Sequence, residues 1–278
     1  MARILESLAE IAQDYDAIVF DQWGVLHNGV TPYGQSVSAI ERLKDQGQRL
    51  AVLSNSGKRS APNAARIASF GFQAGWFETV MTSGEALWQD IARGQTPEDV
   101  FFPIERAPGD AIKWAEGLTI DLVDIIEKAQ AILLMGLPDG SDAKTYRAEM
   151  TYALERGLPI YCSNPDRASP RGTETVTSPG ALAFDHIDRG GEVTFYGKPH
   201  LPIFHALETS LATNRLLMVG DSLEHDIAGA AAAGWDTLLV QGGLYANAFA
   251  DGDHSDVVKA LAKEKAAPLP TYMISEVQ

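Results

Sequence analysis

Ala17-Ile18-Val19-Phe20-Asp21-Gln22-Trp23-Gly24-Val25-Leu26 carries four apolar residues straight into an aspartate. A short continuous apolar run that ends in polar and turn-forming residues reads as a buried strand, and Gly24 permits a sharp turn behind it. In open α/β sheets, ligands bind beyond the carboxyl ends of the strands. A carboxylate delivered there can serve as a nucleophile or a metal ligand. Taken alone, Asp21 is better read as the cap of a turn. Three later segments change that balance.

The same pattern recurs along the chain. Buried strands are expected at Ala17–Phe20, Leu50–Leu53, Thr79–Met81, Leu216–Val219 and Thr237–Val240. Runs of this kind suit parallel strands covered on both faces. Helices are expected at Ser36–Gln46, Ser60–Phe70, Gly84–Arg93, Leu201–Leu211 and Ser222–Ala233, several closed by a glycine such as Gly47, Gly71 or Gly234. Thr82 and Glu85 have capping-box spacing. The alternation predicts an α/β protein with a Rossmann-like, doubly wound parallel-sheet core. The middle reads as an inserted α/β unit, with strands at Asp99–Pro103, Leu118–Val123, Ala131–Leu137 and Pro159–Cys162 and helices at Asp142–Arg156 and Gly180–Asp188. The expected division is a core over 1–84, an inserted cap over 85–191 and the rest of the core over 192–278. The tail from Lys263 to Gln278, polar and proline-containing, is expected to be loosely held.

Charge narrows the partners. With 22 Lys and Arg against 37 Asp and Glu, the chain carries a formal charge of −15. That repels nucleic acid and anionic lipid, so neither is expected as a partner. A phosphorylated small molecule stays open, because a metal ion and a few cations reverse the field locally. The single cysteine, Cys162, rules out an internal disulfide and suits a reducing compartment. The first 16 residues lack the basic and apolar regions of a signal peptide, and no apolar stretch has membrane-spanning length. A cytoplasmic protein is expected.

The second segment is Leu50-Ala51-Val52-Leu53-Ser54-Asn55-Ser56-Gly57, an apolar run that ends in a hydroxyl, an amide and open backbone N–H groups suited to phosphate oxygens. Gly57-Lys58 is not part of a P-loop: Val52 stands where the first glycine is required, and Arg59 follows the lysine. The third is Tyr196-Gly197-Lys198-Pro199, where Pro199 could open a helix and leave Lys198 at a strand-to-helix junction. In isolation, Lys198 is better read as a surface lysine. The fourth is Leu216-Leu217-Met218-Val219-Gly220-Asp221-Ser222-Leu223-Glu224-His225-Asp226. Its two aspartates are spaced to approach one point, and grouped carboxylates suit Mg²⁺. Acids that favour a helix N-terminus explain Asp226 well and Asp221 less well.

In this order, the four segments resemble the haloacid dehalogenase superfamily. The insertion between the second and third, with Ser163-Asn164-Pro165-Asp166 inside it, resembles subfamily IIA, which contains pyridoxal, phosphoglycolate and 4-nitrophenyl phosphatases. The resemblance covers nearly the whole chain. It implies that Asp21 is the nucleophile, forming an aspartyl-phosphate and ligating Mg²⁺ together with the Trp23 carbonyl, Asp221 and Asp226. It implies that Ser54, Asn55 and Ser56 bind the phosphoryl group, that Lys198 neutralises charge, and that Asn164 and Asp166 face the substrate from the cap. The implied function is Mg²⁺-dependent hydrolysis of a small-molecule phosphate ester, with a homodimer through the cap left open.

Trp23 departs from the pattern. Family phosphatases carry an aspartate there, which protonates the leaving group and then activates water. That chemistry is worth ~10²–10⁴-fold. A weak phosphatase, a phosphotransferase and a phosphate-ligand binding or regulatory protein are therefore all open. His27 could supply a proton, although an exposed loop histidine is the better reading. His200, His205 and His225 read as surface or capping residues, Arg167 and Arg171 as solvated, and Cys162 as packed.

Overall fold

The computed structural model describes residues 2–142, 144–171 and 174–278, leaving aside the side chains of 170, 171 and 174. Among these residues the strands are β1 (Arg3–Ile4), β2 (Ala17–Phe20), β3 (Leu50–Ser54), β4 (Thr79–Thr82), β5 (Val100–Ile104), β6 (Asp121–Leu122), β7 (Ala131–Leu134), β8 (Ile160–Cys162), β9 (Ala168–Arg171), β10 (Glu174–Thr177), β11 (Val193–Phe195), β12 (Leu216–Gly220), β13 (Asp236–Val240) and β14 (Tyr272–Ile274). The chain forms two units. The first holds the chain up to Ser54, Ala61–Met81 and Phe204–Gln278; the second holds Asn55–Ser60 and Thr82–Ile203.

The first unit is built on a seven-stranded sheet ordered β1-β14-β13-β12-β2-β3-β4. Strands β2 and β12 lie side by side in parallel, with Val219 opposite Phe20. Every residue of both strands is buried. Side chains on both faces are thus out of water, which is why these strands read as unbroken apolar runs. Leu50 to Leu53 of β3 are buried likewise. Burying one such side chain is worth ~1.5–3 kcal/mol. The sheet is therefore a rigid base, and its polar strand ends are the places where chemistry can be held.

The second unit carries a five-stranded sheet ordered β11-β8-β7-β5-β6 and the antiparallel pair β9–β10. Its core packs Ile104, Ile132, Leu134, Ile160 and Phe195 with Met150 and Leu182 of two helices. Here the structure corrects the expected division. Val193–Phe195 does not resume the first sheet: it pairs with Ile160–Cys162 as an edge strand of the second. Asn55–Ser60 also cluster with the second unit.

Other expectations shift for local reasons. The helix expected from Asp142 begins at Arg147, because the Asp142 carboxylate accepts the Lys144 N–H at 2.8 Å and holds a turn. The helix expected over Ser222–Ala233 opens as a π-helical turn, Leu223–Ile227, before an α-helix at Ala228–Ala232. The Ser222 carbonyl accepts from both Asp226 and Ile227 N–H groups, which widens the turn. The tail is not loose: β14 sits between β1 and β13, and Met273 and Ile274 are buried. No described helix is long and apolar enough to cross a membrane.

Candidate active site

Three aspartates converge where β2 and β12 end. Asp21 follows β2 and donates its backbone N–H to the Val219 carbonyl at 3.0 Å. Asp221 follows β12, and Asp226 lies in the π-helical turn behind it. One carboxylate oxygen from each lies within 4.8 Å of the others. Asp221 and Asp226 are buried, at 7% and 1% exposure. Backbone donors offset part of the mutual repulsion. The Leu244 N–H donates to Asp221 Oδ2 at 2.8 Å, and the Ser222 N–H to Asp226 Oδ2 at 3.1 Å. The set offers hard oxygens with no thiolate or imidazole, so it suits Mg²⁺ rather than zinc.

Glycines make room for these carboxylates. A Cβ on Gly24, whose φ is +79°, would collide with the Asp221 carboxylate, and one on Gly220 with that of Asp226. A Cβ on Gly243 would collide with Asp221 as well. Gly243 and Leu244 were not among the residues singled out in the sequence. Their signal is Gly242-Gly243, one residue beyond the strand at Thr237–Val240. The peptide that bears the Trp23 carbonyl ends at Gly24, against Asp221.

The Trp23 indole is 40% exposed. It lies over Gly29, where a Cβ would strike the ring, and meets His27 edge-on at 5.9 Å. His27 is fully buried rather than exposed, and stacks on Phe70 at 4.3 Å. Its Nδ1 accepts the Gly29 N–H at 3.1 Å, so its proton sits on Nε2. Burial, with a smaller push from Arg66, lowers its pKa to about 4. At neutral pH it is an uncharged packing residue.

The second unit holds the remaining candidates except Ser54. Asn55 Nδ2 donates to Asp166 Oδ1 at 2.9 Å and to the Lys198 carbonyl at 3.1 Å, while its Oδ1 accepts the Lys198 N–H at 2.6 Å. Both amide hydrogens serve protein partners. The side chain expected to bind phosphate instead ties Lys198 to the residue after β3. Lys198 is buried, at 3% exposure, and is no surface lysine. Its helix begins at Leu201, not Pro199. Asn164 Oδ1 accepts the Asp166 N–H at 3.0 Å, an Asx turn that shapes the loop. Ser54 closes β3 in the first unit, and Ser56 Oγ accepts the Lys58 N–H at 3.3 Å. Cys162 is fully buried and its thiol is pushed up to about 12 by that burial, so it is packed and inert. The Arg167 guanidinium lies over Phe184, 4.2 Å from the ring centre, and the Arg171 side chain falls outside the described residues.

Comparison with known proteins fits this geometry. Residues 18–107 match the family model of haloacid dehalogenase-like hydrolases, and 195–267 match a HAD-hydrolase-like model. Together these two matches span more than half of the chain, which belongs to the haloacid dehalogenase superfamily. The 5′-nucleotidase YutF of Bacillus subtilis is 28% identical over 234 residues, spanning 83% of this chain and 88% of the relative. A haloacid dehalogenase-like hydrolase from Brucella suis superposes with a TM-score of 0.79 at 28% identity, covering 99% of this chain and 100% of its own. The fold also matches a glycerol phosphate phosphatase from Mycobacterium tuberculosis in complex with magnesium, with a TM-score of 0.71 at 24% identity, covering 89% of this chain and 74% of the other.

Proposed function

We propose that this superfamily member hydrolyses a small phosphate monoester with Mg²⁺, through an aspartyl-phosphate on Asp21. The carrying observation is the convergence of Asp21, Asp221 and Asp226 at the ends of two neighbouring parallel strands. Asp21, the Trp23 carbonyl, Asp221 and Asp226 would hold the metal. Bound there, Mg²⁺ would draw charge from the phosphoryl oxygens. An Asp21 oxygen attacks phosphorus in line. The Ser54 hydroxyl and the backbone N–H groups of Asn55 and Ser56 receive phosphoryl oxygens, and Lys198 neutralises their charge. Asn164 and Asp166 shape the substrate-side loop. The relatives' names and the magnesium complex of the mycobacterial enzyme support hydrolysis over mere binding or transfer to another acceptor. The single buried cysteine suits a cytoplasmic enzyme.

Phosphate release from phenyl phosphate tests the reading. We expect release that needs Mg²⁺ and falls at least a thousandfold in Asp21→Asn, the order of effect seen when a nucleophile is removed. Equal release by Asp21→Asn, or none by the wild type across a broad ester panel with Mg²⁺, would overturn it.

A further inference from the structure

Tyr245 and Glu224 form a polar pair that the phosphoryl chemistry above does not use. The Tyr245 hydroxyl donates to the Glu224 carboxylate. Tyr245 is buried, and its ring packs with Leu223 and Ile227 of the π-helical turn and with Met273 of β14. A phenol taken out of water loses free energy unless its hydroxyl is bonded, and a carboxylate is the stronger kind of acceptor. The contact is thus an anchor rather than a chance approach.

Its place in the chain gives it a purpose. Tyr245 directly follows Leu244, whose N–H donates to Asp221 Oδ2 at 2.8 Å. Glu224 stands three residues after Asp221 and two before Asp226, inside the π-helical turn. Two hydrogen bonds therefore join the same two segments. One runs from Leu244 to Asp221, the other from Tyr245 to Glu224, and the backbone closes the ring at both ends.

The first bond needs such support. Residues 241–250 form turns and bends, with neither helix nor strand. The Leu244 side chain is 60% exposed and adds little packing. Gly243 runs so close to Asp221 that it has no room for a side chain. The Leu244 N–H is held by its flanks instead: the Gly242 N–H donates to the Ser275 carbonyl at 2.8 Å on one side, and Tyr245 is anchored on the other. Lys265 approaches Glu224 only at 3.9 Å, with both side chains about one-third exposed, and contributes little.

We propose that Tyr245 and Glu224 are positioning residues for the metal-binding carboxylates. Their hydrogen bond keeps the Leu244 N–H on Asp221, which fixes the rotation of that carboxylate, and it braces the turn that carries Asp226. The inference rests on the magnesium binding proposed above. Partners that orient a metal ligand from outside typically matter ~10–100-fold in affinity or activity. Tyr245 and Glu224 act one bond further out, so their effect is smaller.

Glu224 could instead help a cation through its charge alone, and the choice of variants separates the two roles. Magnesium binding to the full chain is titrated by calorimetry in wild type, Tyr245→Phe, Glu224→Ala, Glu224→Gln and Tyr245→Phe/Glu224→Ala, at a temperature where circular dichroism shows all of them folded. Tyr245→Phe keeps the ring in the core and every charge in place, yet should raise the Kd for Mg²⁺ about three- to tenfold, below the loss of a direct outer partner. Glu224→Ala should do the same, and the double variant should be no worse than either, because both changes break one bond. Glu224→Gln should recover most of the affinity lost in Glu224→Ala, since its Oε1 still accepts the phenol. With phenyl phosphate, the magnesium concentration for half-maximal activity should rise with Kd in Tyr245→Phe, while KM for the ester at saturating magnesium stays nearly unchanged. An unchanged Kd in Tyr245→Phe would overturn the positioning role. Equal losses in Glu224→Gln and Glu224→Ala would overturn it too, in favour of charge. Magnesium binding with the expected pattern but no phosphate release from any ester would overturn hydrolysis and leave the positioning role standing. No magnesium binding by wild type would overturn both.

Discussion

His27 is held without a proton by its surroundings. Its ring has no exposed surface, and Nδ1 is committed as an acceptor. A pKa of about 4 in the folded chain makes that state the poorer proton binder, since an unfolded histidine titrates near ~6.5. Stability from this residue is therefore present above pH ~6.5 and is lost as pH falls, levelling off below about 4. Between pH 7.5 and 4.5 the loss is about 2–3 kcal/mol. His27→Phe should remove it, because phenylalanine keeps the ring between Trp23 and Phe70 but cannot titrate. Urea unfolding of both proteins at the two pH values measures the difference. An equal acid loss in the variant would mean that His27 titrates alike folded and unfolded. The sequence showed a histidine after a turn; it could not show Phe70 closing over it, 43 positions away by number.

The loop after β3 is an element shaped by side chains that bond to backbone. Arg59 is bound by Glu85 at 2.7 Å and lies over Trp88 at 3.9 Å. Glu85 also accepts the Ser60 N–H at 3.0 Å, and these contacts outweigh its burial and lower its pKa. The capping-box spacing of Thr82 and Glu85 is thus half used: Thr82 accepts the Glu85 N–H, and the glutamate serves the loop instead. Asn55 makes the longest link, to Lys198, 143 residues on. Asn55→Ala should leave the Lys198 N–H without its acceptor, at ~1–3 kcal/mol for an unsatisfied buried group. Asn55→Asp keeps that acceptor but sets a carboxylate against Asp166, so its melting point should drop further at pH 8 than at pH 5. Thermal unfolding of both variants checks this, and wild-type stability in Asn55→Ala would dismiss the tie. Elements of this protein were legible in proportion to their apolar content. β2, β3 and β12 are nearly pure apolar runs and fall where expected. β14 is three residues among polar ones, β9 and β10 lack an apolar run, and the π-helical turn has the same side-chain pattern as an α-helix. The carboxylate cluster was readable because each aspartate closes or follows such a run. The hydrogen bonds of Asn55 and Asn164 depend on loop geometry and were not.

At the scale of the whole molecule, a chain of net charge −15 concentrates three of its carboxylates at one point of its first unit. Two like charges ~4 Å apart repel by about 4 kcal/mol at an effective dielectric near 20. The Leu244 and Ser222 N–H groups return part of this, at ~1.5–3 kcal/mol for a hydrogen bond to a charged group. Carboxylate repulsion is thus one source of electrostatic strain at these strand ends without metal, and the long-range charge adds to it at low salt. A divalent cation bound only by the folded chain relieves that strain and stabilises by RT ln(1 + [L]/Kd), about 2.7 kcal/mol at a hundredfold excess over Kd. We expect millimolar MgCl2 to raise the melting temperature by several degrees beyond NaCl of the same ionic strength. Asp221→Asn should behave oppositely on the two sides of the comparison. An asparagine Oδ1 still accepts the Leu244 N–H while one repelling charge is gone, so the metal-free variant should melt higher than metal-free wild type. The same variant should lose most of the specific magnesium shift, because a hard anionic ligand is missing. Thermal scans in EDTA, NaCl and MgCl2 read both effects at once. Equal shifts from MgCl2 and NaCl in the wild type would show that magnesium acts only by screening. A lower metal-free melting point in Asp221→Asn would show that the hydrogen bonds to Asp221 outweigh its repulsion from Asp21 and Asp226.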